Sequence, residues 1–209
     1  MNLKILGISC YYHDSAAALL IDGEIISAVQ EERFTRKKHD SSFPKKSIQY
    51  ILNKNKVNLN EIDYIVFYEK PFLKFERLLE TYLDNAPFGF KSFNKSMPIW
   101  SKDKLFQKQN IIKELKNIDN KFIDSSKIKF VEHHVSHAAS AYYPSPFDNA
   151  IIFTADGVGE WATTTLGIGK KNKMSLLKEI NYPDSLGLLY SAFTYYCGFK
   201  VNDGEYKLM

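Results

Sequence analysis

Three of the five histidines of this 209-residue chain lie within five positions, in the stretch VEHHVSHAASAYY. His133 and His137 are four residues apart, so on a helix their rings project from one face, a turn apart. Two neutral imidazole nitrogens at this spacing can bind one divalent metal ion. Two alternatives stay open: His134 can pair with His137 at three-residue spacing, or the histidines can cap or pack a junction between a strand and a helix.

A glycine-containing segment, ADGVGE, follows the apolar stretch Asn149 to Thr154. Gly157 and Gly159 have no side chain to obstruct an anion, so their main-chain N–H groups can approach a phosphate. Short glycine motifs are also typical of ordinary hairpin turns, and the sequence does not separate the two interpretations.

Two further polar clusters occur near the amino terminus. His13, Asp14 and Ser15 follow the first apolar stretch, either as a turn rich in local hydrogen bonds or as a polar group at a cleft. The segment Arg36 to His39 is typical of a solvated basic edge, and such a group of cations is also suited to phosphate.

The first half of the chain has the pattern of an α/β fold. Leu3 to Tyr12 predicts a buried strand, and Ser15 to Phe34 predicts two more joined by the turn dipeptide Asp22-Gly23. A helix is expected after Pro44, then a strand over Ile62 to Tyr68 and another helix.

The middle of the chain is less regular. The segment from Pro87 to Pro98 is expected to be a loop, and Lys104 to Lys116 an amphipathic helix. Ile128 to His134 predicts a strand, and VSHAASAYY a helix that ends at Pro144.

A second unit is expected to begin at Asn149. Its first strand is followed by β-rich sequence with a hairpin turn over Gly169 to Lys173, and SLGLLYSAFTYYCGF has a helical pattern. Polar groups thus lie at the ends of successive apolar strands, which is where α/β sheets bind ligands.

Composition excludes several classes of protein. The 28 basic and 24 acidic residues are spread along the chain. The sequence therefore has no concentrated basic face of the kind that binds nucleic acid. No apolar run has the length of a membrane span, and Cys10 and Cys197 lack the spacing of a redox motif or a disulfide framework. We expect a cytoplasmic protein that binds neither nucleic acid nor membrane.

Several motifs together resemble one family. GISCYYHDSAAALLIDGEIISAVQEERFTRKKH, VEHHVSHAASAYYPSPF, TADGVGEWATT and GEYKLM occur in this order. They resemble the amino-terminal part of the NodU/CmcH carbamoyltransferases, and the match is least distinctive between Tyr68 and Ile128. Motifs in combination are far more specific than any one of them.

The resemblance implies a fold and a reaction. Family members have a Kae1-like domain of the actin/Hsp70/sugar-kinase (ribonuclease H-like) type, with two lobes, followed by a YrdC-like domain. Residues 1–148 would be the first lobe and 149–209 the start of a second, incomplete lobe, with the YrdC-like domain absent. ATP and carbamoyl phosphate would form carbamoyladenylate, and the carbamoyl group would pass to a hydroxyl of a small molecule or saccharide.

The resemblance also implies roles for individual residues. It implies a divalent metal, usually iron, on the paired histidines, a nucleotide phosphate loop at ADGVGE, and a carbamoyl-transfer site near the amino terminus. His133 and His137 would bind the metal. The phosphate loop would comprise Asp156, Gly157, Gly159 and Glu160. His13 and Lys38 would line the carbamoyl-transfer site. The third metal ligand, an aspartate, would lie beyond Met209, so the chain alone is expected to be inactive and to self-associate through its incomplete lobe.

Two other functions remain as alternatives. A Kae1-type threonylcarbamoyl transferase acting on tRNA shares the fold and the HisxxxHis motif, but the chain lacks a basic stripe for tRNA. The chain could also be a non-catalytic nucleotide-binding module.

Overall fold

The computed structural model describes residues 2–122 and 124–208 and has a mixed α/β architecture. The strands are β1 (Lys4–Ser9), β2 (Ala16–Ile21), β3 (Glu24–Gln30), β4 (Tyr64–Phe67), β5 (Ile128–Phe130), β6 (Asn149–Ala155), β7 (Ala162–Lys170) and β8 (Lys173–Asn181). The α-helices are α1 (Glu32–Thr35), α2 (Lys45–Asn55), α3 (Pro71–Asn85), α4 (Phe90–Ile99), α5 (Gln107–Lys116), α6 (His133–Tyr142) and α7 (Leu186–Tyr196). The α/β fold class predicted from the sequence is confirmed at this level; the ribonuclease H-like topology stays a prediction.

The first sheet has five strands in the order β3-β2-β1-β4-β5. Strands β1, β2 and β3 form an antiparallel meander, while β4 and β5 are parallel to β1. Asp22 and Gly23 join β2 to β3 with φ angles of 52° and 88°, as a tight hairpin requires. The three consecutive strands predicted from the sequence are therefore confirmed.

Buried apolar side chains of the first sheet form one core cluster. Leu6, Leu19 and Ile65 of β1, β2 and β4 are fully buried. Helix α2 packs on the sheet because its apolar residues, including Ile48 and Ile51, recur at helical spacing on one face.

The second sheet has three antiparallel strands in the order β6-β7-β8. One face contacts α6, whose Ala138 and Tyr142 are buried against Ile152 of β6. Gly169 of β7 lies directly under the Tyr142 ring, where a Cβ atom would overlap the ring carbons. A glycine is therefore required for this helix to lie against the sheet.

The chain divides into two compact units. The first comprises Met1–Pro71 and Asn85–Val131, and the second comprises Phe72–Asp84 and Glu132–Met209. Helix α6 therefore belongs with the second sheet, whereas the sequence placed a boundary after residue 148; the assignment of lobes stays a prediction.

The prediction of a loop from Pro87 to Pro98 is wrong, because α4 occupies most of this segment. Phe90, Phe93 and Met97 are spaced to share one helical face, a pattern that the prolines and the Ser/Asn content obscured. Pro98 lies inside α4, where it removes one main-chain donor, and the chain then continues into a π-helical turn, Trp100–Lys104.

The junction before α6 also differs from the expectation. A strand was predicted over Ile128 to His134, but β5 ends at Phe130 and α6 begins at His133. The helix ends before Pro144, as predicted. Within the described residues, no helix is both long enough and apolar enough to cross a membrane.

Candidate metal centre

Helix α6 begins at the histidines because a carboxylate caps its amino terminus. The main-chain N–H of His133 donates to both oxygens of Glu160, at 2.9 and 3.1 Å. Glu160 is buried, with 6% of its surface exposed. A carboxylate at this position satisfies an otherwise unpaired donor and interacts favourably with the helix dipole.

The two histidines predicted to bind metal face each other. The Nε2 atoms of His133 and His137 are 3.0 Å apart. Asp156, directly after β6, places its Oδ2 atom 2.6 Å from Nε2 of His133 and 3.7 Å from Nε2 of His137. One ligand atom from each of the three residues lies within 4.8 Å of the others. The structure thus selects the pairing at four-residue spacing and adds a carboxylate to it.

His134 does not belong to this cluster. Its ring is buried, and its Nδ1 atom lies 2.7 Å from the hydroxyl oxygen of Thr154. That hydroxyl is in turn 2.6 Å from the hydroxyl of Thr165 on β7. Burial lowers the pKa of His134, and the neighbouring His133 lowers it further. His134 therefore packs the junction between helix and sheet as a neutral side chain.

Asp156 remains ionised in this environment. The hydrogen bond from His133, and then the imidazole of His137 at 3.7 Å, hold the pKa of its carboxyl far below the usual range and outweigh burial, which acts in the opposite direction. Its Oδ1 atom also accepts a hydrogen bond from the N–H of Gly157. An ionised carboxylate and two imidazoles are a common ligand set for a divalent transition metal.

The ADGVGE segment forms a tight loop around the cluster. The Gly157 N–H donates to Asp156 Oδ1 at 2.6 Å, and the Gly159 N–H donates to the Ala162 carbonyl at 2.9 Å. A Cβ atom on Gly159 would lie 2.9 Å from a ring carbon of His134, so no other residue can replace this glycine without movement. Both N–H groups predicted to approach phosphate therefore make hydrogen bonds inside the protein. The nucleotide role of this loop stays a prediction.

Two side chains that the sequence did not single out hold this loop. Ser185 donates from its hydroxyl to the carbonyls of Gly157 and Asp156, and its Oγ accepts from the Leu188 N–H as the N-cap of α7. Arg77 of α3 donates to the Gly159 carbonyl at 3.2 Å. A serine before an apolar helix is a recognisable cap signal. Arg77 is 82 residues from Gly159 in sequence, and no local pattern predicts that contact.

The two residues predicted at the carbamoyl-transfer site lie in the first unit. His13 is exposed after β1, and its Nδ1 atom is 2.8 Å from Asp14 Oδ2. Lys38 is exposed in the segment between α1 and α2. Their predicted roles in transfer stay predictions.

Comparison with known proteins shows which family this chain belongs to. The sequence profile of the family described as carbamoyltransferase N-terminus matches residues 4–209. The chain is 37% identical over 202 residues to nodulation protein NolNO of Sinorhizobium fredii, covering 95% of this chain and 27% of that protein. The chain therefore belongs to the carbamoyltransferase N-terminus family.

Other relatives are similar over nearly the whole chain. The uncharacterized protein sll1178 of Synechocystis is 61% identical over 206 residues, which cover 98% of this chain and 34% of that protein. The uncharacterized protein MJ1051 of Methanocaldococcus jannaschii is 31% identical over 205 residues, which cover 98% of this chain and 32% of that protein. The chain thus spans about a third of the length of these relatives.

Proposed function

We propose that this chain is the amino-terminal part of an ATP-dependent O-carbamoyltransferase. In the proposed reaction, ATP and carbamoyl phosphate form carbamoyladenylate, and a hydroxyl of a small molecule or saccharide accepts the carbamoyl group. Membership of the carbamoyltransferase N-terminus family supports the general reaction. The observation that carries the proposal for this chain is the convergence of His133, His137 and Asp156 on one point.

The ligand set fits a resident divalent metal. Two imidazoles and one carboxylate are the donors of non-haem iron sites that keep open positions, so iron is the metal we propose. His133 and His137 would bind through Nε2 and Asp156 through Oδ2, the atoms that already converge. When bound, a metal of this kind supplies Lewis-acid stabilisation of developing charge on oxygen.

The protein residues around this centre position its ligands. Glu160 holds the start of α6 through the His133 N–H, and Gly157 holds Asp156 through its second carboxylate oxygen. Outer contacts of this kind orient metal ligands and tune their basicity. In the first unit, Lys38 is proposed to neutralise phosphate charge, and His13 to donate to the carbamoyl oxygen or carry a proton.

Metal binding is the direct test of this proposal. Purified apo-protein titrated anaerobically with Fe²⁺ should bind one equivalent, and His133→Ala, His137→Ala and Asp156→Asn should each weaken binding by about tenfold or more. Ser136→Ala, a half-buried site on the same helix, is the matched control and should bind as the wild type does. Equal binding by all four variants and the wild type would contradict the proposed centre.

A further inference from the structure

Four non-glycine residues of the first unit have left-handed backbone conformations close to the predicted transfer residues. The φ angles are 73° for Tyr11, 48° for Asp14, 59° for Arg36 and 56° for His39. Left-handed conformations are uncommon for non-glycine residues and are concentrated at functional sites, where surrounding contacts hold them. Their occurrence together points to a group of side chains whose orientation matters.

Backbone hydrogen bonds join the two segments that contain these residues. The N–H of Tyr11 donates to the Ser41 carbonyl at 2.8 Å, and the N–H of Ser15 donates to the Asp40 carbonyl at 2.7 Å. The N–H of His39 also donates to a carboxylate oxygen of Glu32 at 3.3 Å. The segment after β1 and the segment before α2 are therefore held side by side.

Within this frame, one carboxylate contacts two imidazoles. Asp14 Oδ2 is 2.8 Å from Nδ1 of His13, and Asp14 Oδ1 is 3.1 Å from Nδ1 of His39. Burial tends to raise the pKa of Asp14, but hydrogen bonds from His39 and His13 outweigh it and lower the pKa. An ionised carboxylate only accepts hydrogen bonds, so both imidazoles must donate their Nδ1–H.

This arrangement determines which nitrogen of His13 carries its proton. A neutral His13 that donates Nδ1–H to Asp14 has its lone pair on Nε2. Since His13 is exposed, that Nε2 is the nitrogen available to accept a proton or a hydrogen bond from a ligand. His39 contacts the opposite oxygen of Asp14, so it acts on His13 through the carboxylate.

We propose that His39 is a positioning residue: by holding Asp14 it keeps His13 as the Nδ1–H tautomer with Nε2 presented as a base. The consequence for carbamoyl transfer rests on the proposed function above. The tautomer and its dependence on His39 are properties of the protein itself, and they can be measured without any substrate or metal.

The test is nitrogen NMR of the imidazoles in the intact chain. At about pH 8.5, above the ordinary histidine pKa, ¹⁵N–¹H correlations distinguish Nδ1–H from Nε2–H. His13 should be the Nδ1–H form in the wild type. In His39→Gly the ratio of Nδ1–H to Nε2–H at His13 should fall about threefold or more, and His39→Asn, whose amide can donate to Asp14, should restore it.

The variants separate positioning from folding. Glycine and asparagine both tolerate the left-handed backbone of residue 39, so neither should strain the loop. Lys37→Met, an exposed change in the same segment, should leave the His13 tautomer unchanged. A wild-type His13 in the Nε2–H form, or a His13 tautomer ratio that His39→Gly leaves unchanged, would overturn the proposal. Neither result would affect the metal-binding test of the proposed function. The proposal for His39 and the proposed function can therefore fail separately.

Discussion

The position of Asp156 shows how far single residues could be assigned from the sequence. The four-residue spacing of His133 and His137 was enough to predict that they lie close together, because four residues make about one helical turn. Asp156 is 23 residues from His133 and comes from the end of β6, so only the packing of α6 on that strand brings its carboxylate to the pair. Sequence reasoning assigned Asp156 to a phosphate loop and expected the carboxylate ligand beyond Met209.

A buried amide in the first unit provides a prediction at the residue scale. Gln107 at the start of α5 is 2% exposed, and both polar atoms of its side chain lack a hydrogen-bond partner within the described residues. It lines a cavity of about 450 Å³ together with Tyr11 and Asn110. An unsatisfied buried polar group destabilises a fold, so Gln107→Met should raise the free energy of unfolding by about 1 kcal/mol.

Denaturant unfolding of the two proteins would measure this difference. Gln109→Met, an exposed change two residues along the same helix, should alter stability by less than about 0.5 kcal/mol. A loss of stability in Gln107→Met would instead show that water in the cavity satisfies the amide.

At the scale of elements, strands were easier to predict than helix boundaries. The meander of β1, β2 and β3 follows from apolar runs and one Asp-Gly turn, which are local signals. The start of α6 depends on Glu160, a side chain 27 residues further along the chain. A cap supplied from a distant segment leaves no signal at the helix itself, which is why the strand before α6 was predicted too long.

Helix α2 is capped in the same way, and its cap provides a prediction. Glu31, after β3, is 2% exposed and accepts hydrogen bonds from the N–H groups of Lys46 and Ser47 and from the Ser47 hydroxyl. Glu31→Ala removes three hydrogen bonds and a carboxylate at a helix amino terminus. We expect a loss of about 2–3 kcal/mol in the free energy of unfolding.

Chemical denaturation followed by circular dichroism would measure the effect. Glu24→Ala removes an exposed carboxylate at the start of β3 and should change stability by less than about 0.5 kcal/mol. If Glu31→Ala were as stable as Glu24→Ala, the carboxylate would not be the cap that holds α2.

At the scale of the whole molecule, the two sheets start with the same topology. Strands β6, β7 and β8 form an antiparallel meander like that of β1, β2 and β3. In the first sheet, β1 also pairs with β4 on its other side. In the part of the chain that the structure describes, β6 of the second sheet pairs with β7 alone. The sequence indicated the first strand and the hairpin turn of the second unit, but it did not indicate how far the two sheets resemble each other, because this depends on strand pairing.

The outer face of the second sheet carries exposed apolar side chains. On β6, Ile151 and Phe153 are 78% and 61% exposed, and Phe153 is paired across the strands with Leu166 of β7. These side chains alternate with Ile152 and Thr154, which are buried, so they lie on the face opposite α6. An apolar face next to an open strand edge favours association with another chain.

We therefore expect the 209-residue chain to self-associate through this face. Sedimentation velocity should show a dimer whose fraction of the total protein rises with protein concentration. The double variant Ile151→Thr/Phe153→Thr places a strand-favouring β-branched residue at both positions but removes apolar surface, so it should remain monomeric over the same range. Ile25→Thr changes an exposed isoleucine on β3 of the first unit and should dimerise as the wild type does. A wild-type chain that stays monomeric at every concentration, or a double variant that dimerises equally well, would show that this face does not bind a second copy.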